Sequence, residues 1–322
     1  MVGLDGCLTR AAERMAVFAG ARDSFPRASA ALRELAGWTL NRESVRQLTH
    51  ATARRLSADR ADRNDAARFA RADGVIEVAI DAGKVNTTDP GWRDVKVAVI
   101  SRRTLGKPAS ASDWKNRKLP PPTVVVVTAS VEGSDVFAER VRAETDRLDV
   151  TTAADVTVLA DGAEWIWNLA DEVFPQAAGV LDFFHVAERI ADAVKAIWPA
   201  GEQADGLFAG GRSAVPSGGK AGLERWIGEA FLVLPTGSDG EPLRGLAAYV
   251  GPHPTHLGYA GRLAAGRSIG SGQVEGAIKP LVNRRRKRTG ARWRAKHVGP
   301  LVELVALIET PEWHEAWATT AA

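Results

Sequence analysis

The chain carries one cysteine, two methionines and two tyrosines among 322 residues. With Cys7 alone, an internal disulfide and a CxxC zinc pair are both excluded, and Cys7 reads as a small, half-buried apolar side chain. No apolar run approaches the ~20 residues that a membrane-spanning helix needs. The opening MVGLDGCLTRAAERM puts an acid where a secretory leader needs basic residues, and it has no long apolar stretch. A phosphate loop and a dinucleotide fingerprint are missing too: the glycines at 201–219 have neither the spacing nor a preceding strand. Nor is there a Ser-His-Asp or Cys-His arrangement for a side-chain nucleophile. What is left is a cytosolic globular protein, without a membrane, whose chemistry rests on other groups.

At 322 residues, 45% hydrophobic and 25% charged, the chain has ample material for a core in one large domain or two ordinary ones. Its net charge is only +3, but the charge is uneven. Arg284, Arg285, Arg286, Lys287, Arg288, Arg292, Arg294 and Lys296 fall in one short segment. Such a block resembles a phosphate-binding strip more than scattered solubilising charge.

Residues 8–57 read as helical. Ala30, Leu32, Leu35 and Ala36 form one apolar stripe, Gly37 and Trp38 interrupt it, and Asn41 can cap a new helix carrying Val45, Leu48 and Ala51. This is the outline of a helix-turn-helix whose second helix turns Arg42, Arg46 and Gln47 outward, although plain helical bundles share it. Residues 52–73, rich in Arg, Asp and Ala, suit an exposed helical linker. From Gly74 the pattern changes to strands at 75–80, 95–101 and 123–130, a helix at 134–148, a strand at 156–160, a helix at 163–174 and a strand at 178–184. Three antiparallel strands followed by βαβ units give an α/β fold, in the order of RNase H-like domains. After a helix at 185–198 the glycines of 199–222 predict mobile connections; helical signals return at 223–234, at 243–250 and from Ser271 to about Ile308.

Asp81 and Asp161 each follow a run of strand residues, at the carboxyl edge where open α/β sheets bind ligands. Two carboxylates converging there repel unless a divalent cation holds both, and hard oxygen ligands with open positions suit Mg²⁺. The plainer reading makes Asp161-Gly162 a turn and Asp81 a helix cap. Glu275 stands in the first turns of a helix opened by IGSGQVEG, with Ser271 as N-cap, Lys279 at i+4 and the basic segment two turns on. There the plainer reading is an exposed Glu–Lys pair. His185 is either a histidine bonded at a helix start or a group beside the acids, and Trp226 is either core or a stacking surface for bases.

IEVAIDAGKVNTTDPGWRDVKVAVI, VTVLADGAEWIWNLADEVFPQAAGVLDFFHVAE and IGSGQVEGAIKPLVNRRRKRTGARW resemble three signature blocks of the ISKra-type insertion-sequence transposases, bacterial DDE enzymes. The resemblance runs from about residue 3 to 310. It implies an RNase H-like mixed sheet flanked by helices, with Asp81, Asp161 and Glu275 as catalytic and metal-ligating acids. It implies Mg²⁺, with Mn²⁺ as substitute, as cofactor, and double-stranded DNA, both element ends and target, as partner. His185 and Lys279 become accessory residues; Arg42, Arg46, Arg284–Arg286, Lys287, Arg288, Arg292 and Arg294 become the DNA-binding set. A homo-oligomer forms on DNA, at the nucleoid. The implied organisation is a helical DNA-binding region and linker at 1–73, the first part of the catalytic core at 74–198, a helical insertion at 199–262, catalytic helices with the basic strip at 263–310, and a tail at 311–322. The separation of 114 positions from Asp161 to Glu275 implies that insertion. Family members usually carry a cysteine-rich, zinc-ribbon-like segment upstream, and this chain begins after its place. Two rival readings remain: a truncated or inactive transposase that only binds DNA, and a junction-type nuclease of the same fold.

Overall fold

The computed structural model describes residues 8–59, 64–88, 91–272, 276, 281 and 290–318. Cys7, Glu275, Lys279 and the run Arg284–Arg288 lie outside the described residues. Among the described residues, no helix is long and apolar enough to cross a membrane.

Five strands form one sheet: β1 (Val75–Asn86), β2 (Trp92–Arg103), β3 (Val124–Ser130), β4 (Val156–Ala160) and β5 (Ala178–Leu181). Their order is β3-β2-β1-β4-β5. β1 is antiparallel to β2, and β2 to β3, whereas β1, β4 and β5 run parallel. Two helices, α5 (Ser134–Arg147) and α6 (Glu164–Val173), make the crossovers of the later strands. Glu77 and Ala79 on one face of β1 and Ile76, Val78 and Ile80 on the other are all buried, so β1 is covered on both sides. That explains why its sequence reads as a nearly continuous apolar run.

On the amino-terminal side stand α1 (Arg10–Arg22), α2 (Phe25–Ala36) and α3 (Arg42–Ala58). Asn41 caps α3 as expected, its side chain accepting the Ser44 N–H at 2.8 Å. Gly37 ends α2 in the left-handed region at φ 68°, which favours glycine. The expected stripe on α2 is only partly right: Leu32 is buried beside Ala28, but Leu35 is 85% exposed. Nor are residues 52–73 an exposed linker. Ala53, Leu56 and Phe69 enter the main core, and Asp65 of a further helix, α4 (Asp65–Arg71), is buried against Arg147 at 2.5 Å.

Beyond β5 come α7 (Phe183–Ile197), α8 (Glu202–Phe231), α9 (Glu241–Val250) and α10 (Tyr259–Ala264). Strand β5 therefore stops three residues earlier than its apolar run predicts, because Asp182 caps α7. The glycine-rich stretch expected as mobile connections is helical. Two of its glycines have a structural reason: Gly211 has no room for a side chain between Trp226 and Ile190, and Gly219 at φ 56° makes the kink in α8. Trp226 is 5% exposed and donates to the Leu207 carbonyl, so it packs and is closed to bases. The chain ends in α11 (Ala295–Ile308) and α12 (Glu312–Ala318). Helix α11 packs on β3 and α3, and Trp313 and Trp317 of the expected tail are buried.

Candidate active site

Three neighbouring parallel strands carry an aspartate at the same level, within β1 and just after β4 and β5. The register pairs Ile80 with Ala160 and Ala160 with Leu181, so Asp81, Asp161 and Asp182 are the next residues along β1, β4 and β5. Adjacent strands lie about 4.8 Å apart, which sets residues 81 and 161 side by side at the carboxyl edge of β4. Strand β1 does not end at Asp81 but continues to Asn86 along β2, so Asp81 is no helix cap. Asp81 and Asp161 are both half-buried. The Asp161 carboxylate accepts the Ala163 N–H at 3.0 Å, and its carbonyl accepts Trp167 Nε1 at 2.8 Å. Two hard, half-buried carboxylates on neighbouring strand positions are of the type that takes a divalent cation, which would offset any repulsion between them. Among the described residues no group of three metal-ligating side chains gathers; the expected third acid, Glu275, lies outside them.

Asp182 is the residue that sequence reasoning passed over. It is fully buried, and its Oδ1 accepts the N–H groups of Phe184 at 2.6 Å and His185 at 3.1 Å. Its Oδ2 accepts both the N–H and the hydroxyl of Ser271. Burial pushes the Asp182 carboxyl up, but the hydrogen bonds from His185 and Ser271 outweigh it and hold the group below the ordinary carboxylate value. The signal was an acid interrupting the apolar run AGVLDFF just before a helix. His185 lies in the first turn of α7 with Nδ1 3.6 Å from Asp182 Oδ1, so it stands against the buried aspartate.

The segment leading to Ser271 is pinned along its length. Arg262 Nε donates to the Ser268 carbonyl at 2.6 Å, Arg267 pairs with Asp155 through two bonds, and the Phe183 N–H donates to the Ile269 carbonyl at 3.0 Å. Asp182 closes the series, and its own N–H donates to the Ala160 carbonyl at 2.7 Å, one residue before Asp161. Ser271, four positions before Glu275, is thereby fixed beside the ends of β4 and β5.

Helix α9 approaches the same edge from the other side. The Tyr249 hydroxyl accepts the Gly162 N–H at 3.1 Å, and a Cβ on Gly162 would lie 2.3 Å from the ring, so the turn after Asp161 has to be glycine. Burial, together with the nearby Asp161 charge, pushes the Tyr249 hydroxyl up to about 12. His253 and His256 pack on Trp167, and burial lowers both imidazoles below their usual value.

The remaining predicted residues lie elsewhere. Arg42 is exposed on α3; Arg46 pairs with Glu43 on the same helix; Arg292 and Arg294 are exposed ahead of α11. Lys279 and Arg284–Arg288 lie outside the described residues. No protein-family model and no curated protein matches this chain, so its own geometry carries the reading of the site.

Proposed function

We propose that this protein is a DNA strand-transfer enzyme of the DDE transposase type on an RNase H-like fold, with Asp81, Asp161 and Glu275 as its acids. One observation carries the reading: Asp81 and Asp161 follow paired positions of neighbouring parallel strands, at the carboxyl edge of a sheet ordered β3-β2-β1-β4-β5. The strand order is that of RNase H-like domains, and the edge is the ligand-binding one.

Asp81 and Asp161 would hold the cations that bind the scissile phosphodiester, and Glu275 would complete the set from the segment that follows Ser271. A bound pair of Mg²⁺ ions would supply charge for the attacking and leaving oxygens. Water attacks phosphorus at the element end, the bond to the 3′ oxygen breaks, and a 3′-hydroxyl is freed. That hydroxyl attacks a target phosphodiester, joining the strands and releasing a target 3′-hydroxyl. The buried packing of Trp167, Tyr249 and Asp182 keeps the acid-bearing turns in place throughout.

Glu275→Gln, Asp81→Asn and Asp161→Asn keep shape and remove charge. Each is expected to lower Mg²⁺-dependent nicking of DNA bearing the element's ends roughly a hundredfold or more, with DNA binding retained. Nicking by a variant at the wild-type rate removes that residue from the mechanism. Binding without nicking in every protein favours a protein that only binds DNA.

A further inference from the structure

A cleft of about 720 Å³ lies far from the acids in sequence, between the start of α2, the outer side of α3 and residues 290–297. Its walls are locked together by rings. His50 of α3 stacks on His297 of α11, centroids 4.0 Å apart and 17° from parallel, and Phe25 meets His50 edge-on at 5.4 Å. The far wall is tied to the β1–β2 hairpin, where Trp293 donates its N–H to the Asn86 carbonyl at 3.0 Å and accepts the Thr88 N–H at 2.8 Å.

The charge in this cleft has one sign. Arg27, Arg46, Arg292 and Arg294 line it, and no carboxylate does among the described residues. Arg46 is partly neutralised by Glu43, but no carboxylate pairs with Arg27, Arg292 or Arg294 among the described residues. The histidine wall registers the field: burial, then the charges of Arg54, Lys296, Arg46 and Arg294, hold the His297 imidazole below its ordinary value. A wall of guanidinium groups with flat rings between them matches a phosphate backbone, because guanidinium donates in a fork and rings accept sugar faces. The cleft is too large for one free phosphate, and its last wall follows directly on Arg284–Arg288 in the sequence.

We propose that this cleft seats the sugar-phosphate backbone of duplex DNA, clamped between the amino-terminal helices and residues 290–297. The proposal rests on the DNA-processing reading and gives it a binding surface separate from the acidic edge. A seated anion favours the charged form of His297, so binding takes up a proton and tightens as pH falls. The groups facing the stack are Arg27 from α2, Arg46 and Arg54 from α3, with Glu43 on Arg46, and Arg292, Arg294 and Lys296 from the far wall. Arginine and lysine are cationic throughout this window, so the pH dependence falls to His297.

The test measures binding of a labelled short duplex of arbitrary sequence, in chelator, over a series of salt concentrations and between about pH 8 and pH 6. Arg292→Ala with Arg294→Ala should weaken binding about tenfold or more and lower the salt slope by roughly two, while Arg292→Lys with Arg294→Lys recovers most of both. His297→Gln should bind like wild type near the upper pH and lose the tightening near the lower one. Unchanged affinity, salt slope and pH dependence in these variants, with wild type binding, overturns the cleft and leaves the acidic edge standing. A wild-type protein that binds no duplex at low salt overturns the DNA-processing reading itself. Binding of polyglutamate as tight as that of duplex assigns the cleft to acidic proteins instead.

Discussion

The acidic sheet edge and the helical side of the molecule are held by different contacts. At the edge, backbone ladders fix Asp81 and Asp161, and a fully buried carboxylate, Asp182, ties two chain segments together. On the helical side, α1 and α3 meet through small residues, with Gly20 so close to Thr49 that a Cβ would lie 2.2 Å from its hydroxyl. The charges carried by α1 and α3 themselves sit outside, as in the Arg22–Glu309 and Arg46–Glu43 pairs. Hydrogen bonds from Arg46 and Gln47 hold Glu43 down to about 2, yet it stays in water. A buried ion is costly to disturb, whereas exposed pairs contribute little. So the edge has fixed geometry, and the helical side has side chains free to meet a partner.

The sharpest way to break this contrast is Asp182→Asn. The amide keeps the shape but turns one acceptor into a donor, so it faces either the Ser271 N–H or the Phe184 and His185 N–H groups. A loss of roughly 2–4 kcal/mol follows from leaving buried donors unmatched. Because the folded carboxyl is held below its ordinary value, its stabilisation is present above about pH 4 and is lost as pH falls through the lower folded value. Denaturant unfolding of both proteins should give a gap that is full near neutral pH and closes in acid. A gap that is absent at neutral pH makes the latch a bystander.

The second prediction sharpens the edge further. Gly162→Ala puts a methyl group 2.3 Å from the Tyr249 ring and should cost about 1–3 kcal/mol. In a Tyr249→Ala background the obstacle is gone, and the same change should cost only a few tenths. A double-mutant cycle by thermal unfolding measures the coupling. Additive effects would mean that α9 does not seat on the turn after Asp161.

The two regions also differed in how far sequence could read them. The level of Asp81 and Asp161 on the sheet was legible because each follows a run rich in β-branched residues, although β1 runs on past Asp81 to Asn86. Asp182 was not, because Phe183 and Phe184 prolong the apolar run past it, and its partner Ser271 is 89 positions away. The glycines of α8 misled for a physical reason: local propensity treats glycine as a breaker, while close contact with Trp226 and Ile190 decides the matter. The cleft was invisible as a whole. Arg46 was noticed on one stretch, Arg292 and Arg294 on another and Arg27 not at all, and the His50–His297 stack that joins them exists only after folding.

The smallest effect belongs to the helical side, at the residue the apolar stripe misplaced. Leu35 fits the helical period of α2, yet it stands 85% exposed at the rim of a shallow groove shared with Met15 and Phe18. The reason is the turn at Gly37: α2 meets α1 and α3 through Ala28 and Leu32, and the chain leaves before another turn of helix can cover Leu35. A side chain that gains so little burial on folding contributes little hydrophobic stabilisation. Leu35→Gln retains a good helix former and should shift stability by no more than about 0.5 kcal/mol. Leu32→Ala, one turn back and 4% exposed, should cost about 2–5 kcal/mol by contrast. Chemical denaturation of the pair reads the difference directly. Comparable losses at the two positions would mean that α2 presents both residues to one buried face, and the stripe read from the sequence would be right after all.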